Sequence, residues 1–142
     1  GDSAGYATEI TDYVPEGLKF DPTDNPQWKD EGNNVISTKQ LENTLLQPGE
    51  SKTIEVIFTW INSKDNMGQK TNTAEISEDK NEYDVPDRDS TPDNKQEGED
   101  DIDIAKVILA ITTGKANTYF TFTLSLLAVM AIGIALIKRF VI

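Results

Sequence analysis

The sequence predicts a mainly β protein, a small antiparallel β-sandwich followed by one C-terminal transmembrane helix. Three observations predict this class. Between residues 5 and 61, apolar residues recur with a period of two and Pro and Gly punctuate the runs, and no stretch before residue 104 shows sustained helical periodicity. Near the C-terminus, residues 116–137 form a long run without charge. Setting that run aside, 142 residues leave room for one small domain.

Short strands are predicted in order along residues 1–77. The clearest spans 53–61, where Ile54, Val56, Phe58 and Trp60 alternate with mostly polar residues. The other candidates are 7–14, 18–20, 35–38 and 71–77, and turns are predicted at Pro15-Glu16-Gly17 and Gln47-Pro48-Gly49-Glu50. This spacing favours a sandwich with immunoglobulin-like connections. Trp28 and Trp60 are expected in its core, with an exposed ligand-stacking role as the alternative.

Charge divides the chain into two parts. Residues 1–103 hold all 25 acidic residues and nine of the 13 basic ones, a net charge of −16, whereas residues 104–142 carry four basic residues and no acidic one. The acidic part repels phosphates and anionic lipid headgroups, so nucleic acid is not an expected partner. The chain has no Cys and no His, which excludes disulfides, thiolate zinc sites and serine–histidine hydrolase chemistry.

The uncharged run predicts a membrane span at 119–137. Nineteen residues at about 1.5 Å rise give a helix of roughly 28 Å, close to the ~30 Å of a bilayer core. Lys138 and Arg139 follow at once and are expected to act as the stop-transfer signal on the cytoplasmic side. The lipid bilayer is therefore a predicted partner, with the acidic domain outside and the tail 138–142 inside.

The acidic segment 78–103 has two interpretations. Its composition buries too little apolar surface to fold by itself, which favours a solvated stalk. It also concentrates hard oxygen ligands, which makes Ca²⁺ a candidate cofactor. The candidate ligands are Asp87, Asp89, Asn94, Asp100 and Asp101. Residues 104–112 are rich in β-branched side chains and are expected to form a closing strand of the sandwich, joined to the membrane helix by a linker at 113–118. A helical extension of the anchor is the alternative.

Three segments together resemble the conserved repeat domain of bacterial, in particular Gram-positive, cell-surface proteins. They are 10–20 (ITDYVPEGLKF), 46–51 (LQPGES) and 71–76 (TNTAEI); the acidic runs 87–94 (DRDSTPDN) and 99–101 (EDD) are also similar to the family's pattern. The resemblance covers about residues 5–112 and implies an immunoglobulin-like sandwich that serves as a spacer or adhesive unit. Neighbouring repeat domains and an unidentified extracellular ligand are the partners it implies.

The opening strands of that family's domain are not seen ahead of residue 10. The sequence thus predicts a sandwich that lacks its first strands and has an unpaired edge, which favours self-association.

The C-terminal part also resembles a degenerate Gram-positive wall-sorting signal. Thr113 and Gly114 match its Thr-Gly pair, at which a sortase would cleave and join the chain to peptidoglycan. Ala110 and Ile111 replace the Leu and Pro of the signal, and we therefore favour a retained helix anchor over cleavage.

These expectations favour a non-enzymatic surface module anchored in the membrane or cell wall. One alternative is a fragment of a surface hydrolase that uses two carboxylates as acid and base. The other is a tail-anchored intracellular protein whose acidic domain binds a cytosolic partner, which requires the opposite topology.

Overall fold

A computed structural model of the chain describes residues 4–61, 63–83, 90–99 and 101–109, and the backbone of a strand at 119–126. This part of the chain consists of strands, turns and loops, and its named strands pair antiparallel. The strands are β1 (Gly5–Tyr13), β2 (Leu18–Phe20), β3 (Lys29–Gly32), β4 (Val35–Thr38), β5 (Lys52–Trp60), β6 (Gly68–Asn81), β7 (Ile102–Leu109) and β8 (Tyr119–Leu126). The predicted mainly β, antiparallel class is confirmed.

Two sheets contribute to one apolar core. The larger has the order β3-β4-β1-β6-β7 and the smaller the order β2-β5-β8. The core cluster draws Ile10, Ile36 and Ile76 from the larger sheet and Val56 and Phe58 from the smaller one. Along β5 the apolar residues at even positions are buried while the alternate residues stay more exposed, as the period of two predicts.

Both tryptophans belong to this core. Trp28 is 5% exposed and Trp60 is 9% exposed, so the prediction that they pack inside is confirmed. Each indole N–H finds a backbone acceptor: Trp28 Nε1 donates to the carbonyl of Glu55 at 2.7 Å, and Trp60 Nε1 donates to that of Asn66 at 3.0 Å. Neither ring is therefore available to stack on a ligand.

The predicted turns occur where expected. Leu18 N–H donates to the Pro15 carbonyl at 3.1 Å, and Glu50 N–H donates to that of Gln47 at 2.9 Å. Gly17 and Gly49 hold φ values of 87° and 81°, the left-handed region that glycine adopts without steric cost.

A further hairpin, not predicted from the sequence, joins β3 to β4. Gly32 pairs with Val35, so Asn33 and Asn34 form a two-residue loop with positive φ at both positions.

Residues 21–28 run alongside β5 beyond the short strand β2. Asn25 takes the place of a strand residue there, because its Nδ2 donates to the Ile57 carbonyl at 2.9 Å and its Oδ1 accepts from the Ile57 N–H at 2.7 Å. The same Nδ2 also donates to the Asp21 carbonyl at 2.9 Å. Side chains thus satisfy backbone groups of β5 that β2 is too short to reach.

Over the first eight residues of the predicted helix, the structure has a strand. Tyr119–Leu126 is strand β8, paired with β5 from Lys52↔Leu126 to Thr59↔Tyr119. Apolar length does not distinguish a helix from a strand, and the Phe-Thr alternation of this segment has high strand propensity. In the described ranges we find no helix with the length and apolarity that crossing a membrane requires. Residues 127–137 lie outside them.

The acidic segment begins inside a strand. β6 extends to Asn81, past the predicted end of the domain at residue 77, and pairs with β1 as far as Gly5↔Asn81. β7 overlaps the predicted closing strand, pairs with β6 from Gly68↔Leu109 to Glu75↔Ile102, and begins two residues earlier than expected. Residues 110–118 are not described.

Candidate functional site

The most elaborate polar arrangement outside the core lies where the second half of the acidic segment folds back over β1 and β6. We call residues 90–101 the acidic loop; Asp100 is not described. The N–H of Ile76 donates to the Asp101 carbonyl at 2.9 Å, and the N–H of Lys95 donates to Glu75 Oε2 at 3.0 Å. Two points of the loop are therefore fixed to one strand, and this part of the segment is folded.

Glu75 is the acceptor at the centre of this contact. It is fully buried although it lies on the face of β6 turned away from Ala74 and Ile76, because the loop covers it. Its Oε1 accepts from the hydroxyl of Tyr13 on the neighbouring strand. The carboxylate thus joins β1, β6 and the loop, and both of its oxygens accept hydrogen bonds, which offsets part of the cost of burial.

Tyr13 and Lys95 form the outer layer of the same contact. The Lys95 ammonium lies 4.0 Å from the centroid of the Tyr13 ring, a cation–π geometry. Burial, and then the hydrogen bond to Glu75, raise the pKa of the Tyr13 hydroxyl. The phenol therefore stays protonated and continues to donate to Glu75 in neutral and mildly alkaline solution.

Within the loop, Glu99 organises the chain. It accepts from the N–H of Thr91, from Asn94 Nδ2 and from Gln96 Nε2, each at 2.9 Å. Asp93 and Lys95 adopt positive φ values of 60° and 54°, which non-glycine residues seldom do. The internal bonds of Glu99 and the tie from Lys95 to Glu75 hold this conformation in place.

The structure locates only two of the five predicted calcium ligands. Asn94 is exposed, and its Oδ1 already accepts from the N–H of Gln96 at 2.7 Å. Asp101 is buried at the end of the loop, 3% exposed. Asp87, Asp89 and Asp100 lie outside the described residues. Among those that are described, no three acidic side chains meet closely enough to hold a metal ion.

The roles of Glu75, Tyr13, Lys95 and Glu99 were not predicted from the sequence. Glu75 was placed among the alternating residues of a strand, and nothing local shows that a loop 20 residues later buries it. The other predicted functional residues, Thr113, Gly114, Lys138 and Arg139, also lie outside the described part.

A cavity of about 370 Å³ lies between residues 24–28 and β5. Its walls include Asn25, Trp28 and Glu55, whose hydrogen bonds hold this edge of the smaller sheet together. The lining combines polar groups with apolar surface from Ile54 and Ile57. The residues that line the cavity thus also close this edge of the sheet.

The fold and the loop together define a class: a mainly β protein of two antiparallel sheets with a packed acidic loop. Comparison of the chain with models of protein families, with curated proteins and with solved structures finds no match in any of the three.

Proposed function

We propose that the chain is a non-enzymatic module of a bacterial surface protein, a spacer or adhesin stalk held at the cell surface by its C-terminal segment. One observation carries the proposal: a domain with net charge −16 is followed by an uncharged run and then by Lys138 and Arg139. Under the positive-inside rule, this order supports a domain outside the membrane and a tail inside. Two antiparallel sheets around one core support an immunoglobulin-like sandwich as the fold of the domain.

The proposed anchor needs the residues of β8. Residues 127–137 alone would form a helix of about 16 Å, whereas the bilayer core is ~30 Å thick. A span therefore requires 119–126 in helical form as well, and β8 then leaves β5. We propose two states, one with β8 in the sheet in aqueous solution and one with 119–137 in the membrane.

The carboxylates of the described part support a structural role over a hydrolase. Glu75 accepts two hydrogen bonds and Glu99 three, and these bonds hold the acidic loop in place. A pair acting as acid and base would instead flank an open substrate site. Turnover of a glycan by the domain would favour the hydrolase.

Fractionation of cells that express the chain tests the proposed anchor. We expect the intact chain to enter the detergent phase on phase partitioning, and protease added to cells stripped of their wall to digest the acidic domain. An intact chain that stays in the aqueous phase would overturn the proposal. A protected domain would favour the intracellular alternative, and a C-terminus at Thr113 joined to wall peptide would replace the helix anchor by sortase attachment.

We also propose that calcium binds the acidic segment, with Asp87, Asp89, Asn94, Asp100 and Asp101 as ligands. The burial of Asp101 at a folded loop supports this, because a desolvated carboxylate gains most from a nearby cation. Calcium at ten times its Kd should stabilise the domain by about 1.4 kcal/mol and raise Tm by several degrees. Asp101→Asn should lose the shift, and magnesium serves as the control ion. A flat calorimetric titration would remove the proposal.

A further inference from the structure

An acid and an amide lie side by side in the interior of the larger sheet. Asp12 of β1 and Asn72 of β6 are both fully buried. Asp12 stands in register with Ile36 on one side and Ala74 on the other, two residues of the apolar core. The strands β1 and β6 are neighbours inside the sheet, so this polar pair joins two of its interior strands.

One hydrogen bond joins the two side chains and leaves one oxygen on each. Asn72 Nδ2 donates to Asp12 Oδ2 at 2.6 Å. Among the described residues, neither Asp12 Oδ1 nor Asn72 Oδ1 has a hydrogen-bond partner, and both atoms are buried. If Asp12 were ionised, both remaining oxygens would be acceptors, and neither could satisfy the other.

A single proton on Asp12 would give both of these oxygens a hydrogen bond. A carboxylic acid and a primary amide are complementary: the acid accepts from the amide N–H through one oxygen and donates to the amide oxygen through the other. The first of these bonds is already present at 2.6 Å. We propose that Asp12 is a neutral carboxylic acid in the folded protein, that its Oδ1 donates to Asn72 Oδ1, and that this closed acid–amide pair makes the stability of the domain depend on pH.

The surroundings favour the neutral acid. From β7, Asp103 stands in register with Ala74 and adds a second acidic group to this side of the sheet. The nearest basic group on β6 is Lys70, two residues before Asn72, and a cation there would favour the ionised form instead. Lys70 is half-buried and so remains partly in contact with solvent. β4 contributes Ile36 and Thr38, and the inward residues of β5 that pack in the same core are apolar, so neither strand supplies a charge.

The pH dependence has a definite sign. Burial raises the pKa of the Asp12 carboxyl from 3.8 to about 7, although the hydrogen bond from Asn72 acts to lower it. Between these two values the folded state holds a proton that the unfolded state has released, so stability falls as pH rises. The contribution is complete below pH 3.8 and lost as pH passes about 7. Across this window, one proton corresponds to a tenfold increase in the unfolding equilibrium constant per pH unit.

The test measures the titration of the Asp12 carboxyl group and the stability of the domain separately. Isotope-edited NMR of the wild-type chain follows the Asp12 carboxyl carbon from pH 3 to pH 9, and urea unfolding is measured at the same pH values. We expect the carboxyl to titrate near pH 7. Asp12→Asn should remove the tenfold change per pH unit, because an amide at this position can form the same two bonds with Asn72 without a proton. Asp103→Asn is the matched control and should retain the dependence.

Titration of the Asp12 carboxyl near pH 4 would overturn the inference, and so would an Asp12→Asn variant whose stability depends on pH as in the wild type. The NMR arm uses the unaltered chain, so it decides the matter even if the variant does not fold. Neither the NMR titration nor the unfolding measurement requires the domain to be anchored in a membrane, so the result is independent of the proposed function.

Discussion

Replacing Gly17 by alanine is expected to remove a large part of the domain's stability. Gly17 has a φ of 87°, and an added Cβ would lie 1.7 Å from Asn66 Oδ1. The Asn66 side chain cannot move away from the added Cβ without breaking hydrogen bonds. Its Nδ2 donates to the Gly17 carbonyl at 2.6 Å and to the Ile61 carbonyl at 2.7 Å. Its own carbonyl accepts the indole N–H of Trp60. Backbone strain of about 1–2 kcal/mol and the loss of buried hydrogen bonds at about 1–3 kcal/mol each predict a total of about 3 kcal/mol or more.

Gly49→Ala separates the two causes. Gly49 has a φ of 81°, but nothing lies within 4 Å of an added Cβ. This variant should show the backbone strain alone, about 1–2 kcal/mol. Urea unfolding followed by tryptophan fluorescence measures both variants. Equal losses in the two would contradict the role assigned to Asn66.

The elements that the sequence predicts correctly are those whose two faces differ in polarity. In β5, apolar residues alternate with exposed ones, and the bounds of β2 and β4 agree with the prediction because Pro-Gly or apolar signals mark them. β3 was missed because all four of its residues are exposed, so it carries no apolar period. Its hairpin was nevertheless marked by Asn33-Asn34, a pair that tolerates positive φ.

The polar contacts could not be predicted because each depends on residues far apart in the chain. Asn25 bonds to Ile57, 32 positions away, and Asn72 bonds to Asp12, 60 positions away. In the sequence Asn25 stands in a loop and Asp12 in a strand with nothing to mark it as buried. The calcium prediction was limited in the same way, since composition identifies oxygen ligands but not which of them a loop brings together.

A disulfide between β5 and β8 is expected to keep the chain out of membranes. Glu55 and Thr123 are register partners, and Glu55 is exposed. The Glu55 carbonyl accepts Trp28 Nε1 on the side of β2, and backbone groups of successive residues point to opposite sides of a strand. Glu55 and Thr123 are therefore a non-hydrogen-bonded pair, with Cα atoms about 4.5 Å apart, a separation that a disulfide bridges. The chain has no other cysteine to interfere.

The experiment compares Glu55→Cys/Thr123→Cys in oxidised and reduced form. Purified chain is mixed with phosphatidylcholine vesicles, and the fraction that floats with the lipid is measured. We expect reduced protein to float and oxidised protein to remain in the aqueous fractions. The two single-cysteine variants control for the substitutions, and Glu55→Cys/Thr121→Cys, which is out of register by two residues, should crosslink poorly.

We expect a large effect because residues 119–126 cannot pair with β5 and cross the bilayer at the same time. While β8 is crosslinked to β5, only residues 127–137 remain for a span, and about 16 Å of helix leaves roughly half of the ~30 Å bilayer core uncrossed. Oxidised protein that floats as well as the reduced form would show that the membrane association does not require 119–126. Failure of the in-register pair to crosslink would show that β8 does not occupy the edge of β5 in solution. If the crosslink forms and flotation is lost, strand pairing and membrane insertion compete for the same residues.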